Sequence, residues 1–286
     1  MTCKAFAKVN LFLDVVAKRD DGFHNIKSVM QTVSLCDEIS MTFSESEILR
    51  IRISSNVEAL NGPNNLIYKA IELYFSKCGF VASVDVELVK NIPLEAGLGG
   101  GSSDAAAVLR LLNREFRFLS EAEMLRLAAL LGSDVPFLYV CGTALCEGRG
   151  EIISPMKCGR LLHFVIAVGE DRISTPSAYS RLDTIFSDFD GSVEDEDLAK
   201  AQRLRFEIQS DLIEFPVYNI FEKAIPEDVK IVTFLKKRLI MLGATHALMS
   251  GSGPAVFGVF DDESTAKKAE ADLKKDNILA FYAYSV

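Results

Sequence analysis

The sequence predicts an α+β fold in two domains, and three observations carry that expectation. The chain has 286 residues, room for two domains of roughly 100–150 residues each. Some stretches alternate apolar and polar residues, and others repeat an apolar residue every three to four positions. The two periods do not follow each other in the strict order of repeated βαβ units. Glu151 to Arg160, with Pro155 and Gly159, is the expected boundary, dividing the chain into 1–152 and 153–286.

In chain order, Ala7, Val9, Leu11, Leu13 and Val15 alternate with Lys8, Asn10, Phe12 and Asp14. This predicts a strand with Lys8 and Asn10 on one face, and periodicity alone makes that face solvated. Asp20-Asp21-Gly22 supplies a turn. Asn64 or Asn65 caps a helix with Ile67, Ala70, Ile71 and Tyr74 on its apolar face, ended by Gly79. Val84, Val86 and Leu88 predict a further strand. A glycine-rich turn follows, then an alanine-rich helix to about Asn113. Ser120 and Glu123 form a capping box for a helix that stops at Gly132. Phe137 to Cys146 reads as a short helix running into a strand, and Leu161 to Val168 as a buried strand. Glu194-Asp195-Glu196-Asp197 is a solvated acidic loop with no assigned role. A helix with Ile231, Leu235, Leu239 and Leu242 on one face ends at Gly243. Strands near Ala255–Phe260 and Ile278–Ser285, with a Lys-rich helix between them, complete the reading.

Charge and composition narrow the function. Apolar residues make up 49% and charged residues 25%, as in an ordinary globular protein. Lys plus Arg is 31 against 40 Asp plus Glu, a net charge of −9. That argues against a general nucleic-acid binder or a polybasic membrane binder. Cys3, Cys36, Cys78, Cys141, Cys146 and Cys158 include no C-x-x-C pair and read as reduced core thiols of a cytoplasmic chain. His24, His163 and His246 show no metal-ligand spacing. No apolar run approaches the ~18 residues of a membrane span, and no leader segment is expected.

Three segments carry chemistry. The first is Pro93, Leu94, Glu95, Ala96, Gly97, Leu98, Gly99, Gly100, Gly101, Ser102 and Ser103, opening the alanine-rich helix. Its glycines let the backbone approach a ligand closely. The free N–H groups and the positive end of the helix then favour a phosphate. Ser102 or Ser103 is expected to cap that helix, and either hydroxyl suits Mg²⁺ or a phosphate oxygen. With no lysine in the loop, the cationic partner must come from elsewhere. The second segment is Gly132-Ser133-Asp134-Val135-Pro136-Phe137, where Pro136 suits a first helical turn. Asp134 is then either a helix cap or a presented carboxylate, and Lys8 is its candidate partner in handling a hydroxyl proton. The third is Met249-Ser250-Gly251-Ser252-Gly253-Pro254. Taken alone it is a loop; beside the first it would make a two-sided phosphate clamp.

These segments, in this order, resemble the GHMP kinase family. Pro93 to Ser103 resembles its phosphate motif and Ser250 to Pro254 its C-terminal glycine motif. Ala7-Lys8-Val9-Asn10-Leu11, Asp21-Gly22-Phe23-His24 and the Gly97–Ala107 run narrow the resemblance to a member whose acceptor is a cytidine-diphosphate-linked methylerythritol. Gly142-Thr143-Ala144 and Gly148-Arg149-Gly150 complete the set. The resemblance implies a ribosomal-protein-S5-like, ATP-binding N-terminal domain and a ferredoxin-like, substrate-side C-terminal domain, with substrate in the cleft between. It implies transfer of the γ-phosphoryl of ATP, with Mg²⁺, to the 2-hydroxyl of the methylerythritol unit. It makes Asp134 the base, Lys8 the group that polarises the hydroxyl, and Asn10 a substrate contact. His24 would bond the cytosine edge, with Phe23 and Tyr179 at its two faces. Phe23 stands where tyrosine is commoner, so the ring remains for stacking but any hydrogen bond from a tyrosine hydroxyl is missing. The implied partner is this small molecule, with no nucleic acid, membrane or obligate protein partner. Two other readings compete: a kinase of another acceptor (mevalonate, homoserine or a sugar), and a nucleotide sensor on an inactive kinase scaffold. Phe23, His24 and Tyr179 weigh against the first, and joint presence of Lys8 and Asp134 against the second.

Overall fold

The computed structural model describes residues 1–157, 159–171, 174–187, 217–227 and 229–286. The acidic run Glu194–Asp197 and Cys158 lie outside them. In chain order the elements are β1 (Thr2–Lys18), β2 (His24–Ser44), β3 (Arg50–Ser55), α1 (Leu66–Cys78), β4 (Ser83–Val89), α2 (Gly100–Phe116), α3 (Glu121–Leu131), α4 (Val135–Val140), β5 (Thr143–Gly148), β6 (Ile152–Met156), β7 (His163–Val168), α5 (Thr175–Ser187), β8 (Tyr218–Asn219), α6 (Ile231–Met241), β9 (His246–Met249), β10 (Val256–Phe260), α7 (Glu263–Lys275) and β11 (Leu279–Tyr284).

These elements form two compact units interleaved along the chain. The first holds Met1–Lys8, Ser34–Leu94 and Gly99–Cys141; the second holds Val9–Val33, Glu95–Leu98 and Gly142–Val286. The interleaving arises because β1 and β2 are long, 17 and 21 residues, and each contributes to both units. The stretch expected to be a domain boundary instead carries β6, paired antiparallel with β5 from Thr143↔Met156 to Glu147↔Ile152. Pro155 is tolerated there because β6 pairs only with β5 and lies at the sheet edge.

In the first unit the strand order is β3-β4-β2-β1. β3 and β4 run parallel, Arg50↔Ser83 to Ser55↔Leu88, and parallel neighbours need a long crossover. That crossover is α1. Asn65 caps it by accepting from Ile67 N–H, and Gly79 ends it at φ 63°. Its buried face, Ile67, Ala70, Ile71, Tyr74 and Phe75, is the 3.6-residue stripe read from the sequence, extended by Phe75. Phe43, Phe75 and Phe116 pack edge to face, with ring centroids 5.4–6.4 Å apart. The Ser120–Glu123 capping box of α3 is present with both its hydrogen bonds.

In the second unit β5 pairs with both β2 and β6, and β8 lies parallel to β1 at Phe12↔Tyr218 and Leu13↔Asn219. A separate sheet has the order β11-β7-β10-β9. Its antiparallel register runs from Val256↔Ala167 to Phe260↔His163 on one side of β7 and from Leu279↔Val168 to Tyr284↔His163 on the other. Every residue of β10 is buried, as expected of a strand covered on both faces. The same holds for most of β1. Lys8 and Asn10 were expected on a solvated face, yet both are buried, as is Asp14.

Candidate active site

In the first unit the glycine-rich segment opens α2 without a side-chain cap. Gly99 occupies the cap position at φ 70°, and the first intrahelical bond runs from Ser103 N–H to Gly99 C=O at 2.8 Å. The expectation that Ser102 or Ser103 caps the helix is therefore corrected: both lie in its first turn. A left-handed cap suits glycine, which carries no Cβ to clash. A Cβ at Gly99 would sit 3.1 Å from Cγ of Lys8 and 3.2 Å from Leu138. The N–H groups of Gly100, Gly101 and Ser102 precede that first bond and so lack an intrahelical acceptor. Ser103 is buried, and its Oγ donates to the Phe6 carbonyl at 2.6 Å. That leaves Ser102 as the hydroxyl of the pair not spent on the backbone. Ser102 Oγ lies 3.9 Å from where a Cβ on Gly132 would stand, so it faces the segment that starts α4.

Asp134 stands at the cap position of α4 and makes no capping bond. Its Oδ2 is instead 3.5 Å from Nζ of Lys8, with the lysine side chain 5% and the carboxylate 29% exposed. Of the two roles open to Asp134 in the sequence, the structure selects the presented carboxylate. Lys8 brings a cation beside Gly99, in a segment that carries none of its own. It is buried because the Gly99 turn covers its stem.

Beneath the loop lies a cluster that the sequence reading missed. Lys90 Nζ donates to Asp37 Oδ2 and, at 2.6 Å, to Asp104 Oδ2. All three side chains are at most 3% exposed. Asp37 Oδ1 also accepts from the N–H groups of Asn91 and Ile92. Asp104 Oδ1 is buried without a partner among the described residues. Burial pushes the Asp104 carboxyl up to about 8, against the pull of Lys90 and with a further push from Asp37. A Cβ at Gly100 would lie 3.0 Å from Lys90 Nζ, so this cluster underlies the first residue of α2. The one available signal was a single Asp before Ala105-Ala106-Ala107, a charge on a helix face otherwise built for the interior.

In the second unit Glu95, Ala96, Gly97 and Leu98 meet the other glycine turn. Ser250 Oγ donates to Gly97 C=O at 3.0 Å, and Ala255 N–H to Ala96 C=O at 3.2 Å. A Cβ on Gly97 would stand 2.1 Å from the Ser250 carbonyl oxygen, so no larger residue fits without a shift. The Gly251 N–H is taken by Asn10 Oδ1 at 3.0 Å, and Asn10 Nδ2 donates to Ser28 Oγ at 2.9 Å. Asn219 Nδ2 donates to the carbonyls of Met249 and Gly251 at 2.8 Å each. Ser250–Pro254 is thus a brace for residues 96–97, and its Gly251 N–H is not available as half of a phosphate clamp.

A third group, also in the second unit, surrounds His24. Its Nε2 lies 2.6 Å from Asp183 Oδ1, and its ring stacks on Tyr179 at 4.7 Å and 24°. Tyr179 meets Phe221 edge-on at 4.8 Å. Asp183 is held below the usual carboxylate range by the hydrogen bond from Lys18 and then by that from His24. Phe23 is 50% exposed, with the Arg149 guanidinium over its ring at 4.8 Å. His24 and Tyr179, far apart in sequence, are brought together. Asp183, Lys18 and Arg149 had no signal in the sequence that would single them out. Pro93 and Leu94 stay at the loop's entrance, with Leu94 49% exposed.

Comparison with known proteins decides the family. Residues 65–142 match the GHMP kinases N terminal domain and residues 193–278 the GHMP kinases C terminal domain. A 4-diphosphocytidyl-2-C-methyl-D-erythritol kinase of Thermodesulfovibrio yellowstonii is 37% identical over 270 residues, covering 94% of this chain and 93% of the relative. One of Clostridium botulinum is 34% identical over 291 residues and covers both chains fully. The chain belongs to the GHMP kinase family. Among solved structures this GHMP kinase resembles a 4-(cytidine 5'-diphospho)-2C-methyl-D-erythritol kinase, with a TM-score of 0.80 and 30% identity over 100% of this chain and 99% of the other. It shares its fold with the Methanococcus jannaschii mevalonate kinase, at a TM-score of 0.73 and 13% identity over 100% and 98% of the two chains. Among the described residues of this GHMP kinase, no helix is long and apolar enough to cross a membrane. No group of three or more His, Cys, Asp or Glu side chains there is placed to hold a metal ion.

Proposed function

We propose that this GHMP kinase transfers the γ-phosphoryl of ATP to the 2-hydroxyl of 4-diphosphocytidyl-2-C-methyl-D-erythritol, giving the 2-phosphate and ADP, a step in the non-mevalonate route to isoprenoid precursors. The observation that carries this reading is the Lys8–Asp134 pair, 3.5 Å apart in the unit that also holds the uncapped start of α2. Asp134 accepts the proton of the attacking hydroxyl. A tertiary alcohol needs that help, since its oxygen is a poor nucleophile while protonated. Lys8 orients the hydroxyl and offsets charge as the proton leaves. The N–H groups of Gly100, Gly101 and Ser102, with the positive end of a 17-residue helix, favour the phosphate oxygens. Phosphoryl transfer asks mainly for such alignment and charge stabilisation.

Mg²⁺ fits this donor set through the Ser102 hydroxyl, a hard oxygen ligand that makes no hydrogen bond among the described residues. The ion takes most of its ligands from phosphate and water, so the lack of an all-protein cage does not count against it. When bound it neutralises phosphate charge.

The cytidine reading rests on the His24–Tyr179 pair. With Nε2 directed at Asp183, Nδ1 is the ring nitrogen left to face the base, matched as an acceptor to the exocyclic amine of cytosine. Tyr179 and Phe23 supply faces for the base. Asn10 is bonded to Ser28 and Gly251, so in this reading it acts on substrate through the shape of the turn it holds. The free thiols of Cys3, Cys36, Cys78 and Cys141 support a cytoplasmic placement. The test is ADP release with ATP, Mg²⁺ and each of three acceptors. Turnover with the cytidine substrate alone is expected. Turnover with mevalonate or homoserine instead moves the acceptor assignment, and silence with all three in folded protein supports the nucleotide-sensor reading.

A further inference from the structure

A cavity of ≈ 990 Å³ opens in the first unit, against the outer end of α2. Its walls include Lys4 from β1, Arg110, Arg114 and Arg117 from α2 and its cap, and one carboxylate, Glu121. Four cations to one anion invert the balance of a chain whose net charge is −9. Arg110 is spent locally: it donates to the carbonyls of Leu138 and Tyr139 in the last turn of α4. Lys4, Arg114 and Arg117 have no carboxylate partner among the described residues.

Helix electrostatics explain part of this and leave a remainder. A cation near the end of α2 is favoured by the helix dipole, which accounts for one arginine. Two arginines three residues apart repel each other. Arg117 also sits at φ 53°, a left-handed cap position that favours glycine or asparagine. Lys4 adds a third charge from a different element. Burial pushes the Cys3 thiol in the same wall up to about 11, while Arg110 and Arg114, which line the cavity with it, pull it down. Leu111, Leu119 and Leu125 supply an apolar wall beside the charges.

We propose that this cavity binds a small phosphate or diphosphate ester carrying an apolar tail, its phosphate held by Lys4, Arg114 and Arg117. Planar guanidiniums suit phosphate oxygens pairwise, and the volume fits a small molecule rather than a macromolecule. From Gly100 to Arg114 is fourteen residues of helix, about 21 Å at 1.5 Å each, so the arginines proposed to hold the phosphate stand well away from the phosphate loop at the other end of α2. The cavity does not depend on the kinase reading.

The test is isothermal titration of the full chain with hexyl phosphate, inorganic phosphate and hexanol, each with and without saturating ATP. One site per chain is expected. Hexyl phosphate should bind at least tenfold tighter than inorganic phosphate, hexanol should not bind, and ATP should leave the hexyl phosphate affinity unchanged. Arg114→Ala with Arg117→Ala should weaken binding at least tenfold with an unchanged unfolding midpoint. Lys4→Ala serves as an independent variant with the same direction of change. Absence of saturable hexyl phosphate binding, binding that survives these substitutions in folded protein, or displacement by ATP overturns the proposal.

Discussion

Replacing Asp104 by asparagine should remove a specific pH dependence of stability. Lys90 brings one positive charge to two buried carboxylates, Asp37 and Asp104, so fully ionised the cluster carries a net negative charge in the interior. A proton on Asp104 removes that excess, and burial raises this carboxyl from 3.8 to about 8. The folded chain then keeps a proton between those pH values that the unfolded chain releases. Stability contributed by this group is fully present below the unfolded value and is lost as pH rises toward 8. One retained proton corresponds to a slope of about 1.4 kcal/mol per pH unit. An asparagine at this position cannot titrate, and its amide donates where the protonated acid donates. Asp104→Asn should therefore gain on the order of 3 kcal/mol on the parent between pH 5 and pH 7, two pH units at that slope. Urea unfolding of both chains at pH 5, 6 and 7 measures it. Parallel profiles, with a constant difference at the three pH values, would refute the reasoning.

Other substitutions test the remaining features. Lys90→Met leaves two buried carboxylates without their cation and should cost about 3–5 kcal/mol, read by urea unfolding at pH 7. Asp134→Asn should keep substrate binding by titration calorimetry and lower kcat by roughly 10²–10⁴-fold; near-normal turnover would remove Asp134 from the mechanism. Gly97→Ala drives a methyl into the Ser250 carbonyl and should destabilise the chain by about 1–3 kcal/mol, with an accompanying rise in KM for ATP in the ADP-release assay. Phe23→Ala should raise KM for the cytidine substrate roughly tenfold, the effect of losing about 1.4 kcal/mol of stacking, and leave KM for ATP near its starting value. Equal effects on both would argue against stacking.

Local rules made much of the fold legible. Asn65, Gly79 and the Ser120–Glu123 box sit where capping chemistry requires them, because each bond spans only a few residues. Lys8 was misjudged for the opposite reason: what buries it is the Gly99 turn, more than ninety residues away in sequence. β2 carries no clear two-residue period because Ser28 to Val33 is buried on both faces, with the polar Ser28, Gln31 and Thr32 buried beside Val29, Met30 and Val33. Ser102 and Ser103 looked alike in the motif, and only the position of the Phe6 carbonyl separates them. At the candidate site, composition announced the glycine segment, while Asp37, Lys90 and Asp183 depend on pairings between distant strands and helices that no local pattern encodes.

The interleaving of the two units has a consequence for synthesis of the chain. The first unit has all its residues once Cys141 has been made. The second still awaits β11, whose partner is β7, and the Val286 N–H that bonds to the Thr32 carbonyl of β2. At roughly 5–20 residues per second, the ribosome takes on the order of ten seconds or more to supply that remainder. Throughout that interval the far ends of β1 and β2 extend from a finished unit into an unfinished one. Residues 9–33 are thus the part of the nascent chain exposed longest, and the part where a chaperone would be of most use.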